Sequence, residues 1–392
     1  MVFSVALPVL NQAAFIPTAL ASLSAQRSGF ELAVMDATPN NSVQDILAAY
    51  RGRICYSRHG KDRGQSAAIQ EGWDHTTGDI LYWLCADDYL FPYTFSEVEN
   101  IFNTRPDVDV VYGDSVYVDA DGQFIRYFPT ISDDVSRLVR ECSIAQPSCF
   151  VRRYAVERVG KINPDLHFTM DWDLWIRLFK SGAKFYYLRK PLSAIRIYPG
   201  TKTTSSSDAR FSEIRRHISK NVGFLEALRT MVYVRSVGNV YPELRSDGAK
   251  RYQGGISAVL KFARATKRVL RKQNDGIRPK ELYGLNVSNN EVQSRCHVYL
   301  PAYDGNPNTI AVSTDRNIKL SAAVNGFPVS RISVSNNSRA YRFDLAVAAR
   351  LRDQQPYVCI DLENTESQSW RLLSVSLPHS SKATPSKVPL GH

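Results

Sequence analysis

Cysteine is scarce and scattered: six residues in 392, at positions 55, 85, 142, 149, 296 and 359, with no C-x-x-C pair. A disulfide framework belongs to short secreted chains, not to one of this length. Cys85 lies inside the apolar run Ile80–Ala86, so buried free thiols in a reducing compartment are expected. Long apolar runs are also missing. None approaches the roughly 20 residues that a membrane-spanning helix needs, so any membrane contact is peripheral. The opening Met1-Val-Phe-Ser-Val-Ala-Leu has no basic stretch and predicts no signal peptide. These absences predict a cytoplasmic protein, or one resting on the cytoplasmic face of the inner membrane. Acidic residues are in deficit: 38 Asp and Glu against 49 Lys and Arg give a formal charge of +11. That balance favours anionic partners such as nucleotides, nucleic acid or acidic membrane surfaces, without choosing among them. No internal repeat is visible.

What is present is ordinary globular composition, 44% hydrophobic and 22% charged, in a chain long enough for more than one core. Phe3–Pro8, Glu31–Asp36, Ile80–Cys85 and Val108–Tyr112 are strand-like apolar runs. Helical periodicity marks Phe15–Leu23, Val43–Tyr50 and Gln65–Trp73. Apolar runs alternating with helices predict an α/β domain with a mostly parallel, Rossmann-like sheet covered on both faces, over 1–208. Within it, Cys142–Val151, Phe168–Phe179 and Lys184–Ile197 read as strand, helix and strand. A basic helical segment is expected over 209–280. From 281 to 378, seven short β-rich runs at roughly ten-residue spacing predict an antiparallel β-sandwich. They are His297–Tyr303, Thr309–Thr314, Lys319–Val324, Val329–Val334, Arg339–Leu345, Tyr357–Leu362 and Trp370–Leu377. Residues 379–392, rich in Ser, Lys and Pro, are expected to be a disordered tail.

In open α/β sheets ligands bind beyond the carboxyl ends of the strands. Three such ends carry acids by this reading: Asp36, Asp87-Asp88 and Asp114. Adjacent carboxylates are costly unless a cation joins them, and magnesium or manganese bound to a diphosphate is one solution. A plain Asp-initiated turn before Tyr89 is the local alternative.

Order and spacing decide between these readings. The chain presents Leu7-Pro8-Val9-Leu10-Asn11-Gln12, Val34-Met35-Asp36 and Asp62-Arg63-Gly64-Gln65 through Gly72. It continues with Gly78 through Ala86-Asp87-Asp88, Gln146-Pro147-Ser148-Cys149-Phe150 and Met170-Asp171-Trp172-Asp173-Leu174-Trp175. Together these resemble the inverting GT-A glycosyltransferases of family 2, over roughly residues 2–204. The resemblance implies a sugar transferred from a UDP- or dTDP-sugar to a glycan acceptor, lipid-linked, in bacterial cell-surface polysaccharide synthesis of the O-antigen kind. It implies Asp88 as ligand to Mn2+ or Mg2+, and Asp171 as the base that takes the acceptor proton. Pro8, Asp36, Asp62, Gln65 and Asp87 match nucleotide-binding positions, with Asp36 accepting the imide N–H of uracil or thymine. Gln146, Trp172 and Lys202 fall on the acceptor or donor side. Local readings stay open beside these: an Asx-type turn for Asp36, a helix N-cap for Asp171, and a solvated loop cation for Lys202 or for Arg58, Lys61 and Arg63.

Two positions depart from the family pattern. Met170 stands where a Glu is frequent, and Tyr198 where a metal-binding histidine is frequent, so metal binding is expected to rest mainly on Asp88. Separately, residues 256–280 hold eight basic residues and one acidic one. Within this stretch, 256–272 reads as an amphipathic basic helix, suited to an anionic membrane surface or to packing with a solvated basic face. No aromatic stacking platform accompanies it, which argues against nucleic acid. Trp370 and Tyr341 are sugar-stacking candidates, though core packing serves them as well. An accessory or oligomerisation role is open for the β domain. The competing enzyme class is a sugar-phosphate nucleotidyltransferase, but Leu7–Gln12 lacks its Gly- and basic-rich phosphate loop. A non-catalytic glycan-binding protein is the other alternative.

Overall fold

The computed structural model describes residues 1–130, 134–202, 208–240, 281–301, 309–333, 339–344 and 357–376, apart from 284, 287, 288, 326, 367 and 368. The expected basic helix at 256–272 and the tail at 379–392 lie outside the described residues. The chain divides into two compact units: Met1–Asp121 with Arg126–Lys280, and Gly122–Ile125 with Glu281–His392.

The first unit begins β1 (Phe3–Val9), α1 (Ile16–Ser24), β2 (Phe30–Asp36), α2 (Ser42–Leu47), β3 (Ile54–His59), α3 (Gln65–Asp74) and β4 (Ile80–Trp83). It continues with β5 (Tyr89–Leu90), α4 (Thr94–Thr104), β6 (Val110–Val118), β7 (Phe124–Tyr127, shared with the second unit), β8 (Cys149–Arg152) and α5 (Arg153–Arg158). The helix α6 (Met170–Lys180), the strand β9 (Phe185–Arg196) and the helices α7 (Asp208–Asn221) and α8 (Phe224–Val240) complete it. The sheet runs β3-β2-β1-β4-β8-β6. β1 is parallel to both β2 and β4, β2 to β3, and β6 to β9, while β8 is antiparallel to its neighbours.

Strand periodicity builds both cores. Phe3, Val5, Leu7 and Val9 of β1 join one cluster with Leu20 of α1 and Phe95 of α4, whereas Ala6 joins the other with Trp73 of α3 and Trp175 of α6. Successive residues point to opposite faces of a strand, so a run buried on every position needs helices on both sides. Close packing has a local demand at Gly72, where an added Cβ would sit 2.7 Å from Met35 Cε and 2.9 Å from Ala6 Cβ.

Several expectations need correction. β3, β5 and α4 were not legible as elements. β3 alternates half-buried with exposed residues and carries charge, so it lacks the apolar run of its neighbours. The strand-like stretch Cys142–Val151 shortens to β8, because a 3-10 turn at Gln146–Ser148 includes Pro147. Asp114 is not at a strand end: β6 continues to Val118 beside β9. Its buried carboxylate accepts the Tyr187 hydroxyl at 2.9 Å on both oxygens.

Among the described residues the second unit contains two larger antiparallel sheets and a two-stranded pair, Glu281–Leu282 with Leu285–Asn286. Its elements are β10 (Glu281–Leu282), β11 (Leu285–Asn286), β12 (Glu291–Val292), β13 (Arg295–Pro301), β14 (Thr309–Thr314) and β15 (Leu320–Val324). They are followed by β16 (Phe327–Val329), β17 (Arg331–Ser333), β18 (Ala340–Asp344), β19 (Tyr357–Asn364) and β20 (Trp370–Ser376). One sheet runs β17-β18-β14-β20 and the other β13-β19-β15-β16. The expected single run Val329–Val334 breaks at Ser330, with β16 in one sheet and β17 in the other. Alternate residues are buried, as in β14 and β15. Tyr341 and Trp370 are core residues: both are buried, and the Tyr341 hydroxyl bonds to the Ile318 backbone and to Asn317. All six cysteines are unpaired, and Cys55 is exposed rather than buried.

Candidate active site

A cavity of about 590 Å³ opens beyond the carboxyl ends of β1 and β4, within the size range of small-molecule sites. Pro8, Asp62, Gln65, Asp87, Asp88, Gln146, Asp171, Trp172 and Lys202 all line it. Asp36 does not.

At one end stand the acids that follow β4. The Cys85 thiol and the Asp87 and Asp88 carboxylates place one ligand atom each within 4.8 Å of one another. Asp87 accepts the Tyr198 hydroxyl at 2.9 Å, and Asp88 accepts the Arg196 backbone N–H at 3.0 Å. Burial raises both carboxyls above the ordinary range, and the charge of Asp87 adds to the effect on Asp88. Burial, then Asp88 and Asp87, pushes the Cys85 thiol well up. Two adjacent carboxylates strained toward protonation fit a divalent cation, whose charge would relieve both desolvation and repulsion. Oxygen ligands suit Mn2+ or Mg2+, and Cys85 adds a softer donor.

Around this pair runs a polar network that sequence reasoning did not foresee. Gln65 donates to Cys85 Sγ at 3.3 Å and accepts from Lys202 at 2.8 Å, and Lys202 also donates to the His167 carbonyl at 3.0 Å. Gln146 donates to the Trp83 carbonyl at 2.7 Å. Burial lowers the Lys202 ammonium from its ordinary range. Asp62 caps the turn before α3 by accepting the Gly64 N–H at 2.8 Å. Gly64 itself has φ of 110°, which a side chain would resist. Arg58, Lys61 and Arg63 do not line the cavity. Arg58 is instead held by Glu71, at 2.7 Å, and by the Gly60 carbonyl.

Asp171 stands at the start of α6, but it is not the N-cap, which is Thr169. Its Oδ1 accepts the Trp172 N–H at 2.7 Å. Burial raises the carboxyl to about 6, against the lowering effect of that N–H. The approach to α6 is fixed from a distance: Glu213 of α7 accepts the backbone N–H groups of His167, Phe168 and Thr169 at 2.8–2.9 Å. No sequence signal links Glu213 to them, since they lie more than forty residues earlier. Trp172 is mostly a packing residue, with its indole N–H donated to the Leu138 carbonyl and its ring against His217.

Asp36 lies behind the cavity lining, at the end of β2. Its wholly buried carboxylate accepts the Thr38 N–H at 2.9 Å and the Gln44 amide at 2.8 Å, and pairs with His59 Nδ1 at 2.9 Å. The Asx-turn contact to Thr38 is present, and the carboxylate ties β2, α2 and β3 together.

The open α/β sheet, with an acid pair beyond one strand and a buried carboxyl in the same cavity, is the arrangement that the resemblance to GT-A glycosyltransferases implies. The sequence model of "Glycosyl transferase family 2" matches residues 4–192, and the chain belongs to that family. A "PGL/p-HBAD biosynthesis glycosyltransferase" of Mycobacterium bovis is 31% identical over 186 residues, 46% of this chain and 71% of the relative. The "Uncharacterized glycosyltransferase RP339" of Rickettsia prowazekii is 24% identical, over 57% of this chain and 72% of its own. Among solved structures, S. aureus TarS 1-349 in complex with UDP-GlcNAc aligns with a TM-score of 0.47 at 16% identity, over 61% of this chain and 75% of its own. The mannosyltransferase PcManGT from Pyrobaculum calidifontis, in complex with GDP-Man and Mn2+, gives a TM-score of 0.44 at 16% identity, over 69% and 81%. By the family model and the mycobacterial relatives, the protein is a glycosyltransferase. No helix among the described residues is long and apolar enough to cross a membrane.

Proposed function

We propose that the cavity holds a nucleoside diphosphate sugar at its Asp87–Asp88 end and an acceptor hydroxyl at Asp171, and transfers the sugar with inversion. The observation that carries this reading is the single cavity that joins an acid pair to a carboxyl raised to about 6. Such a carboxyl is ionised at neutral pH yet basic enough to accept a proton. Asp171 takes the proton of the acceptor hydroxyl as its oxygen bonds to the anomeric carbon. The bond from that carbon to the diphosphate breaks, and its electron pair leaves on the phosphate oxygen. One displacement inverts the centre and needs no enzyme nucleophile.

Asp88, with Asp87 beside it, would hold Mn2+ or Mg2+, whose charge stabilises a departing diphosphate. Lys202 adds a cation on the same wall. Pro8, Asp62 and Gln65 shape the nucleotide side, and Gln146 lies between the two ends. We read Asp36 as a scaffold residue, on its contacts with Thr38, Gln44 and His59, and assign recognition of the base to the cavity residues. The acceptor proposed is a cell-surface glycan or glycolipid, in keeping with the biosynthetic name of the mycobacterial relatives. The basic stretch 256–272 offers a peripheral contact with an anionic membrane.

A panel of UDP-, GDP- and dTDP-sugars tests the reading. Nucleoside diphosphate should be released, the release should need a divalent cation, and Asp171→Asn should abolish it. Release that proceeds unchanged in Asp171→Asn would remove Asp171 from the chemistry.

A further inference from the structure

The β domain carries a second convergence of metal-binding groups, remote in chemistry from sugar transfer. β13 and β19 pair antiparallel, with His297 opposite Asp361 and Tyr299 opposite Cys359. Residues two apart on a strand share a face, so His297, Cys359 and Asp361 project from one side of the pair. On the other side Cys296, Val298, Ile360 and Leu362 are buried in the core. The imidazole, thiol and carboxylate ligand atoms lie within 4.8 Å of one another.

We propose that His297, Cys359 and Asp361 form a zinc site that staples β13 to β19. Nitrogen, sulfur and oxygen ligands together suit Zn2+, a borderline-soft ion bound at about 2.0–2.3 Å, with water completing a tetrahedron. His297 Nδ1 already bonds to Asp361 Oδ1. The ion would replace the proton they share, together with the thiol proton of Cys359. Arg295 sits 3.3 Å from Asp361 Oδ2, the other oxygen, and so can orient the carboxylate from behind as outer partners of metal ligands do. A surface ion pair accounts for His297, Asp361 and Arg295, and Tyr299 hydrogen-bonds the Cys359 thiol; a metal ion would engage the imidazole, thiol and carboxylate together. The side chains of His297 and Asp361 are 39% and 14% exposed, which leaves the ion a path from solvent. Two paired strands hold the ligands on one face.

Cobalt is the probe. Co2+ added to the metal-free full-length chain should give a thiolate-to-cobalt charge-transfer band with tetrahedral visible bands. Cys359→Ser should remove the charge-transfer band, and His297→Ala and Asp361→Asn should each weaken Co2+ binding at least tenfold. Zn2+ should displace Co2+ and raise Tm. Cys85 is the other thiol beside carboxylates, so a band lost in Cys85→Ser but retained in Cys359→Ser overturns the proposal. Absence of any thiolate band in the wild type overturns it equally. If Cys359→Ser melts early without metal, His297→Gln decides: Co2+ affinity equal to wild type refutes the site.

Discussion

Tyr198 donates its phenolic hydrogen to Asp87 across 2.9 Å, while Gln12 donates to the same phenolic oxygen at 2.9 Å. The segment after β9 is thereby tied to the acid pair after β4 and to the end of β1. Removing a hydrogen bond to a charged group costs about 1.5–3 kcal/mol, or roughly 10- to 100-fold in affinity. Tyr198→Phe keeps the ring against Phe15 but loses the bond to Asp87 and the contact with Gln12. It should weaken divalent-dependent UDP binding by about that factor, measured by calorimetry, with kcat changed less than KM. A fall in kcat with unchanged affinity would place Tyr198 in the chemistry instead. Tyr198→His should tighten Mn2+ binding, by adding an imidazole beside Asp87.

The raised Asp171 carboxyl fixes a pH profile. With the carboxyl at about 6, kcat/KM should fall tenfold per pH unit well below that point and level off above it. The sign for stability is opposite. A folded-state value above the ordinary 3.8 means the folded chain keeps a proton that the unfolded chain has lost, so stability declines as pH rises from 3.8 to about 6. Asp171→Asn should therefore be inactive yet melt higher than wild type at pH 7.5, with the gap closing toward pH 4. Thermal melts across that range check it. A gap independent of pH would mean that Asp171 is not the titrating group.

Much of this was legible in the sequence, for a physical reason. Strands such as β1 and β4 are buried on every residue, so apolarity alone marks them. The acid pair follows such a strand directly, and Asp171 opens an amphipathic helix. β3 was illegible because half its residues face water, and Asp114 was misplaced because Gly113-Asp114 resembles a turn. At Gly113 an added Cβ would meet Leu192 at 2.6 Å, so this glycine serves close packing inside a strand. Glu213 acts through partners distant in sequence, which no local pattern encodes; Gln146 and Lys202 stood out through the family resemblance, but not the partners that hold them.

Asp36 yields a prediction in which folding and binding separate. A buried carboxylate with three partners leaves them unpaired when it is removed, at a cost of about 3–5 kcal/mol. Asp36→Ala should lower the urea midpoint of the first unit sharply. Asp36→Asn, which can still accept from Thr38, should recover part of the loss. Neither should shift the preference among UDP, GDP and dTDP in the folded fraction. A selective loss of UDP binding in a stably folded Asp36→Asn would restore the contact with the base.

Asp88 should show the reverse coupling between metal and stability. Burial and Asp87 raise its carboxyl well above the ordinary range, so in metal-free buffer at neutral pH this carboxyl weighs against the fold. Asp88→Asn removes that penalty and should melt a few degrees higher than wild type in chelator, on the scale of about 1 kcal/mol for several degrees in domains of moderate size. Added Mn2+ should stabilise the wild type, since an ion that binds only the folded state shifts the equilibrium toward it, and should leave Asp88→Asn almost unmoved. The two melting curves should therefore cross as Mn2+ is titrated, and UDP binding should follow the wild-type branch. Parallel responses of both proteins to Mn2+ would move the cation away from Asp88.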